Sequence, residues 1–214
     1  ICKNSLSLWI ILEEIFPDLF NKIFPIVINQ YMYEMVVHHR LDLLHHLVDK
    51  APQMFIDCLM SNDFSMFNLA VNNGDIDIID FFMRLIPEQI LDMIQASNYQ
   101  SITLAVRNGH LALMDYFHAK VGDLMPDIIA QHHIRILNEA AVHGRLEVFH
   151  YIVHQLQKSL PEILKENQYQ CFDIAIQFGH MSILEYLLQN VPQLMPSLWA
   201  RNDYRACQIA AECG

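Results

Sequence analysis

Ala140-Ala141-Val142-His143-Gly144-Arg145-Leu146-Glu147-Val148 is the stretch that decides how this chain folds. Thirty-five residues earlier the same pattern stands as Ala105-Val106-Arg107-Asn108-Gly109-His110-Leu111-Ala112-Leu113. Five of the six glycines, Gly74, Gly109, Gly144, Gly179 and Gly214, fall on this 35-residue lattice, which extends back to His39 and Asn4. Four residues before each glycine stands an alanine: Ala70, Ala105, Ala140, Ala175 and Ala210. Self-similarity at a fixed period of this size marks a repeat architecture.

Downstream of each glycine, apolar residues recur with helical spacing. Ile76, Ile78 and Ile79 in one copy match Leu146, Val148 and Phe149 in another, with polar residues between. That is one apolar face of a helix, here called the outer helix. Phe81, Tyr116, Tyr151 and Tyr186 keep the same phase and are expected in the core rather than on a base-stacking platform. Upstream of the glycine, Phe64, Phe67, Ala70 and Val71 trace the face of an inner helix. Asn62, Ser97, Asn167 and Asn202 form a column expected to cap that helix, with His132 the exception. Gln100 and Gln170, three residues on, would complete capping boxes. The inner helix ends at the glycine, which suits a left-handed C′ position. His39 and Asn4 replace it in the early copies, and both residue types tolerate positive φ. On that reading, His39→Gly removes strain and stabilises by up to about 1 kcal/mol.

A third segment follows the outer helix. Pro17, Pro52, Pro87 and Pro192, or Pro126, Pro161 and Pro196, introduce short runs with i, i+3, i+4 apolar spacing, such as Ile90, Met93 and Ile94. Proline in a first turn followed by that spacing predicts a short helix. Each repeat therefore reads as helix, turn, helix and helical connector.

The Ala-x-x-x-Gly-x-Leu-x-Ile-x-x-Tyr pattern resembles the ankyrin repeat, and the resemblance covers nearly the whole chain. It departs from the family in its period of 35, in lacking the Thr-Pro-Leu-His opening, and in replacing the Gly-rich β-hairpin with a proline-led segment. Divergent repeats of this kind look like those of intracellular bacteria, amoebae or large viruses. The resemblance implies an all-α, ankyrin-type helical solenoid of about six stacked repeats. The chain reads as a single repeat domain over 1–214, and as a piece of a longer protein because it opens on Ile1 without an initiator Met or signal peptide.

Composition limits the function classes. Thirteen Lys and Arg against 24 Asp and Glu give a net charge of −11, which argues against nucleic acid and anionic membranes as partners. There is no run of 18 apolar residues to span a bilayer. The five cysteines are odd in number and lack a Cys-x-x-Cys pair, so they are expected as buried thiols in a reducing, cytoplasmic compartment, or in a host cytosol for an effector. The pairs His38/His39, His45/His46 and His132/His133 point about 100° apart on a helix and lack zinc-spaced partners, so no metal site is assigned. No nucleophile stands beside a base and no phosphate-cradling loop occurs, so no catalytic residue or cofactor is assigned either.

What the core leaves unexplained is the pair of residues before each glycine: Asn72 and Asn73, Arg107 and Asn108, then His143, Gln177 and Phe178. In ankyrin proteins these positions lie on the concave face, so the resemblance implies that they contact a partner. Asp63, Asn98, His133, Gln168 and Asp203, at the turn before the inner helix, extend the same row. The expected function is protein–protein interaction, with a partner that carries a basic patch. Two alternatives remain open. One is a targeting or substrate-recognition domain of a larger enzyme, such as a secreted effector, with its catalytic domain elsewhere. The other is a structural spacer.

Overall fold

The computed structural model describes residues 15 and 17–200. The lattice points Asn4 and Gly214, with Asn202, Asp203 and Ala210, lie outside the described residues. Thirteen α-helices and two 3-10 turns make up the described chain, and no strand occurs among the described residues.

In chain order the helices are α1 (Pro17–Val37), α2 (Leu41–Lys50), α3 (Pro52–Met60), α4 (Ser65–Asn73), α5 (Ile76–Leu85), α6 (Ile90–Asn108) and α7 (Leu111–Val121). They continue with α8 (Leu124–Val142), α9 (Leu146–Gln155), α10 (Leu160–Glu166), α11 (Gln170–Gln177), α12 (Met181–Asn190) and α13 (Met195–Ala200). The outer helices α2, α5, α7, α9 and α12 begin at Leu41, Ile76, Leu111, Leu146 and Met181, a recurrence of 35 residues. The connectors are helical: Pro52 opens α3, Pro161 is the second residue of α10, and Pro87 and Pro192 each open a 3-10 turn. Proline fits there because its missing N–H is one the first turn leaves unpaired anyway.

By compactness the chain divides into two units, 1–101 and 102–214. In the first, α1 packs on α2, α3 and α4, and α4 packs on α5. Leu44, Phe55, Phe67, Ile78, Ile79 and Phe82 are fully buried there. In the second, α8 packs on both α9 and α11, and α11 on α12. Ala70, Ala105, Ala140 and Ala175 are all 0% exposed, which fits a column chosen for close helix approach. Leu113, Met114 and Phe117, or Val148, Phe149 and Ile152, form the buried face of their outer helices. Phe81, Tyr116, Tyr151 and Tyr186 are only half-buried, one step off that face. Their rings pack at the rim: Tyr186 stands edge-on to Phe149, and Tyr151 Oη is 3.3 Å from His118 Nδ1.

The helix ends follow the glycine lattice. Gly74, Gly109, Gly144 and Gly179 have φ of 74°, 76°, 63° and 69°, and His39 shares the conformation at 53°. The inner-helix starts meet the capping expectation at Asn167, whose Oδ1 accepts from the first-turn Cys171 N at 2.8 Å, and depart from it at Asn62 and Ser97. Residues 62–64 and 97–99 all have positive φ, as do Gln168 and Tyr169. α4 and α11 begin after such a turn, and the turn at 96–99 breaks α6 into two helical stretches, the second of which starts after Tyr99. Asn62 and Ser97 therefore sit too early to cap the inner helices. Gln100 and Gln170 do not close capping boxes, and Gln170 Oε1 instead accepts from Asn138 Nδ2 at 2.8 Å. The capping box that does form joins Ser159 and Glu162 at the start of α10. In the repeat containing His132 no left-handed turn forms, and α8 runs through. The residues ending the turns are Phe64, Tyr99 and Tyr169, whereas α8 carries Ile134 in that column. A β-branched side chain is the poorest choice for positive φ, so the column's exception is also its structural exception.

Candidate functional site

Each inner helix ends with carbonyls that no later turn can satisfy. In this chain the next repeat supplies donors. Arg145 Nε donates to the Arg107 carbonyl at 2.9 Å, and His180 Nε2 donates to the Val142 carbonyl at 2.8 Å. Asn73 Nδ2 donates to the Val36 carbonyl at 3.3 Å. Arg145 and His180 each stand one residue after a lattice glycine and reach back over the preceding one. A Cβ on Gly109 would lie 2.9 Å from Arg145 Cδ, and one on Gly144 would lie 2.5 Å from His180 Nδ1. Those glycines are therefore needed twice, for positive φ and for the side chain lying across them. In the first unit the same column holds Asp75. Its Oδ2 accepts from His39 Nδ1 at 2.6 Å, while its Oδ1 caps α5 by accepting from Ile78 N. A shallow cleft of about 330 Å³ opens beside Gly109, Gly144 and Arg145.

The sequence-predicted row falls into two groups. At the helix ends, Asn72, His143, Gln177 and Phe178 are exposed, and Asn73, Arg107 and Asn108 are half-buried. Arg107 and His143 are brought together by Glu139, whose Oε1 lies 2.6 Å from Arg107 Nε and 3.5 Å from His143 Nε2. Phe178, 52% exposed, stacks on His180 with ring centroids 6.3 Å apart and planes 11° from parallel. At the turns, Asp63, Asn98 and Gln168 are exposed and left-handed, with φ of 52°, 57° and 53°. His133 is half-buried there, with Nδ1 donating to the Ala130 carbonyl and Nε2 lying 3.1 Å from Glu166. Glu166 also accepts from Lys158 at 2.8 Å, and that ammonium, with His133 beside it, holds the carboxyl below its usual range. Behind this turn lies a closed polar network. The buried Asn167 donates to Asn138 Oδ1 at 2.9 Å and accepts from Cys171 N at 2.8 Å.

Sequence reasoning missed Glu139 and the residue after each glycine. The signal was present, since that column reads Arg40, Asp75, His110, Arg145 and His180, polar at every copy. Among the described residues no group of three or more His, Cys, Asp or Glu side chains could hold a metal ion. No described helix is long and apolar enough to cross a membrane. Cys58 and Cys171 are buried, and burial pushes the Cys171 thiol up to about 12 and the Cys58 thiol in the same direction. Neither is placed to act as a nucleophile, which needs the thiolate. No family model, curated protein or solved structure matches the chain.

Proposed function

We propose that the chain is an ankyrin-type repeat module that binds another protein across the ends of its inner helices. The observation that carries this reading is Phe178. It is a large apolar ring left more than half exposed, yet its orientation is fixed by the stack on His180, which is itself fastened over Gly144. A ring already held in one position loses little entropy on contact, and aromatic anchors of that kind dominate interface energies. Gln177 and His143 supply exposed polar neighbours on the same helix ends. The positions three and four before each lattice glycine from Gly74 to Gly179 are the buried ones, so the core ends short of this row and does not dictate its identity.

Charge supports a partner with a basic patch. Residues 1–101 carry five Lys and Arg against thirteen Asp and Glu, and so hold most of the net −11. Association with such a partner weakens as salt rises.

The test is affinity capture with the immobilised chain, comparing the native sequence with Phe178→Ala. The captured protein is expected to be lost with Phe178→Ala and kept when Asp77, Asp115 and Glu147 on the outer helices are reversed to Lys. The opposite pattern would place the contact on the outer helices. Arg107→Ala is the weaker probe, because Arg107 is already engaged with Glu139 and its loss disturbs the fold.

A further inference from the structure

Two of the lattice glycines are preceded by asparagine, giving Asn73-Gly74 and Asn108-Gly109, and no other Asn-Gly pair occurs in the chain. Asn-Gly is the dipeptide in which the following backbone nitrogen most easily attacks the side-chain amide, because glycine has no Cβ to obstruct it. The Gly nitrogen bonds to the Asn Cγ, the Cγ–Nδ2 bond breaks, and ammonia leaves with the proton lost from the attacking nitrogen. Water then opens the cyclic imide at one carbonyl or the other, leaving aspartate or isoaspartate.

The fold holds both pairs in a form that cannot react. Asn73 and Asn108 are the last residues of α4 and α6, and both are half-buried. The attacking nitrogens are already donating, Gly74 N to the Val71 carbonyl at 3.0 Å and Gly109 N to the Val106 carbonyl at 3.1 Å. Asn73 has a second restraint, since its Nδ2, on the leaving amide, donates to the Val36 carbonyl. The last helical turn must open before nitrogen and Cγ can meet.

We propose that Asn73 and Asn108 are deamidation sites gated by opening of their helix ends, so that an opened repeat is converted to one that cannot fully reclose. The product explains the irreversibility. Deamidation replaces the Asn73 donor with a carboxylate facing the Val36 carbonyl, at the end of a helix where the backbone dipole already disfavours negative charge. Isoaspartate adds a further backbone atom to a turn whose Schellman bonds have fixed spacing, Gly74 N to Val71 and Asp75 N to Ala70. A transient fluctuation is thereby recorded as a covalent change.

The whole chain is incubated at mildly alkaline pH in buffer and in unfolding urea, and peptides are followed by mass spectrometry. Conversion is read as exchange of an amide NH for oxygen, and isoaspartate by enzymatic methyl labelling. Asn73 and Asn108 are expected to convert ahead of every other asparagine in urea, and at least about tenfold more slowly in the folded chain, where the reactive fraction is set by local opening. Equal rates in the two conditions would remove the gate. Rates in urea no faster than at Asn138 or Asn190 would remove the sites. In a second measurement, Asn73→Asp is expected to melt below Asn73→Gln, which keeps the amide. Coincident melting would overturn the claim that the converted repeat cannot reclose.

Discussion

Gly144 and Gly179 share a left-handed backbone but not a neighbourhood. A methyl on Gly179 meets nothing within 4 Å, whereas one on Gly144 would collide with the His180 ring. Gly179→Ala is expected to cost about 1–2 kcal/mol for the left-handed backbone alone. Gly144→Ala is expected to cost more, and adding His180→Ala should recover part of the excess. Urea unfolding midpoints at constant slope read both, and equal costs for the two alanines would contradict the contact. His39 is a subtler case. Its positive φ agrees with the sequence, but the expectation that His39→Gly stabilises left out Asp75, whose carboxylate the ring contacts. The glycine relieves about 1 kcal/mol of strain. It also forfeits a largely exposed pair worth roughly 0.2–1 kcal/mol, so the net change should stay small. Its removal in an Asp75→Asn background should be clearly stabilising. Cys171 gives the residue-level pH prediction. Its native thiol holds its proton up to about 12, against an ordinary value of 9.0. The folded state therefore binds that proton more tightly, and stability contributed by the thiol is present below pH 9.0 and lost as pH climbs toward 12. Cys171→Ala should flatten the alkaline limb of the stability profile. Iodoacetamide should leave Cys171 unlabelled until the chain unfolds.

The turns that open the inner helices carry the element-scale argument. A left-handed residue other than glycine costs about 1–2 kcal/mol, so these turns persist only because packing compensates, as with the buried ring of Phe64. Gln168→Gly should therefore stabilise the chain by roughly 0.5–1 kcal/mol. Ile134→Gly, one column further on but inside unbroken α8, should destabilise it by about 1 kcal/mol or more. Opposite signs at neighbouring columns, read by chemical denaturation, would establish that the two repeats start their helices differently. The inner, outer and connector helices were legible in the sequence because glycine, alanine and proline each act through backbone geometry, which repeats when the residue repeats. The left-handed turns were not, because Asn and Ser serve equally as N-caps and as residues tolerant of positive φ. Only the aromatic-to-isoleucine change at residue 134 separates the two uses. In the candidate site, exposure of Phe178 was legible from its polar column, whereas its stacking on His180 and the tie from Arg107 to Glu139 depend on contacts between residues in different repeats or on different turns.

At the scale of the molecule, charge is unevenly spread, with the excess of acid concentrated in residues 1–101. Among the described residues Asp42 pairs with Arg40, Asp80 with Arg84, and Asp75 and Glu34 with histidines. Like charges on one compact unit repel, and salt screens that repulsion over about 10 Å at 0.1 M. The melting temperature should therefore rise between low and moderate salt. Asp77→Asn, made on an exposed outer-helix position, should raise it at low salt and lose its effect at high salt. A melting temperature that falls with added salt would mean that attractive pairs outweigh the repulsion.

The side chains that reach back across the lattice glycines give the repeats a direction. Within the second unit Arg145 finishes the helix that ends before Gly109, and His180 finishes the one before Gly144. A repeat here is completed by its successor. The self-sufficient segment is consequently not a helix pair but a helix pair plus the first residue beyond the next glycine. Excising residues 111–145 would bring His180 into the place of Arg145 and keep a donor over Gly109, whereas a copy with Asp75 in that column would bring a carboxylate there, so these repeats are not interchangeable like beads. They are links, each closed by the one that follows.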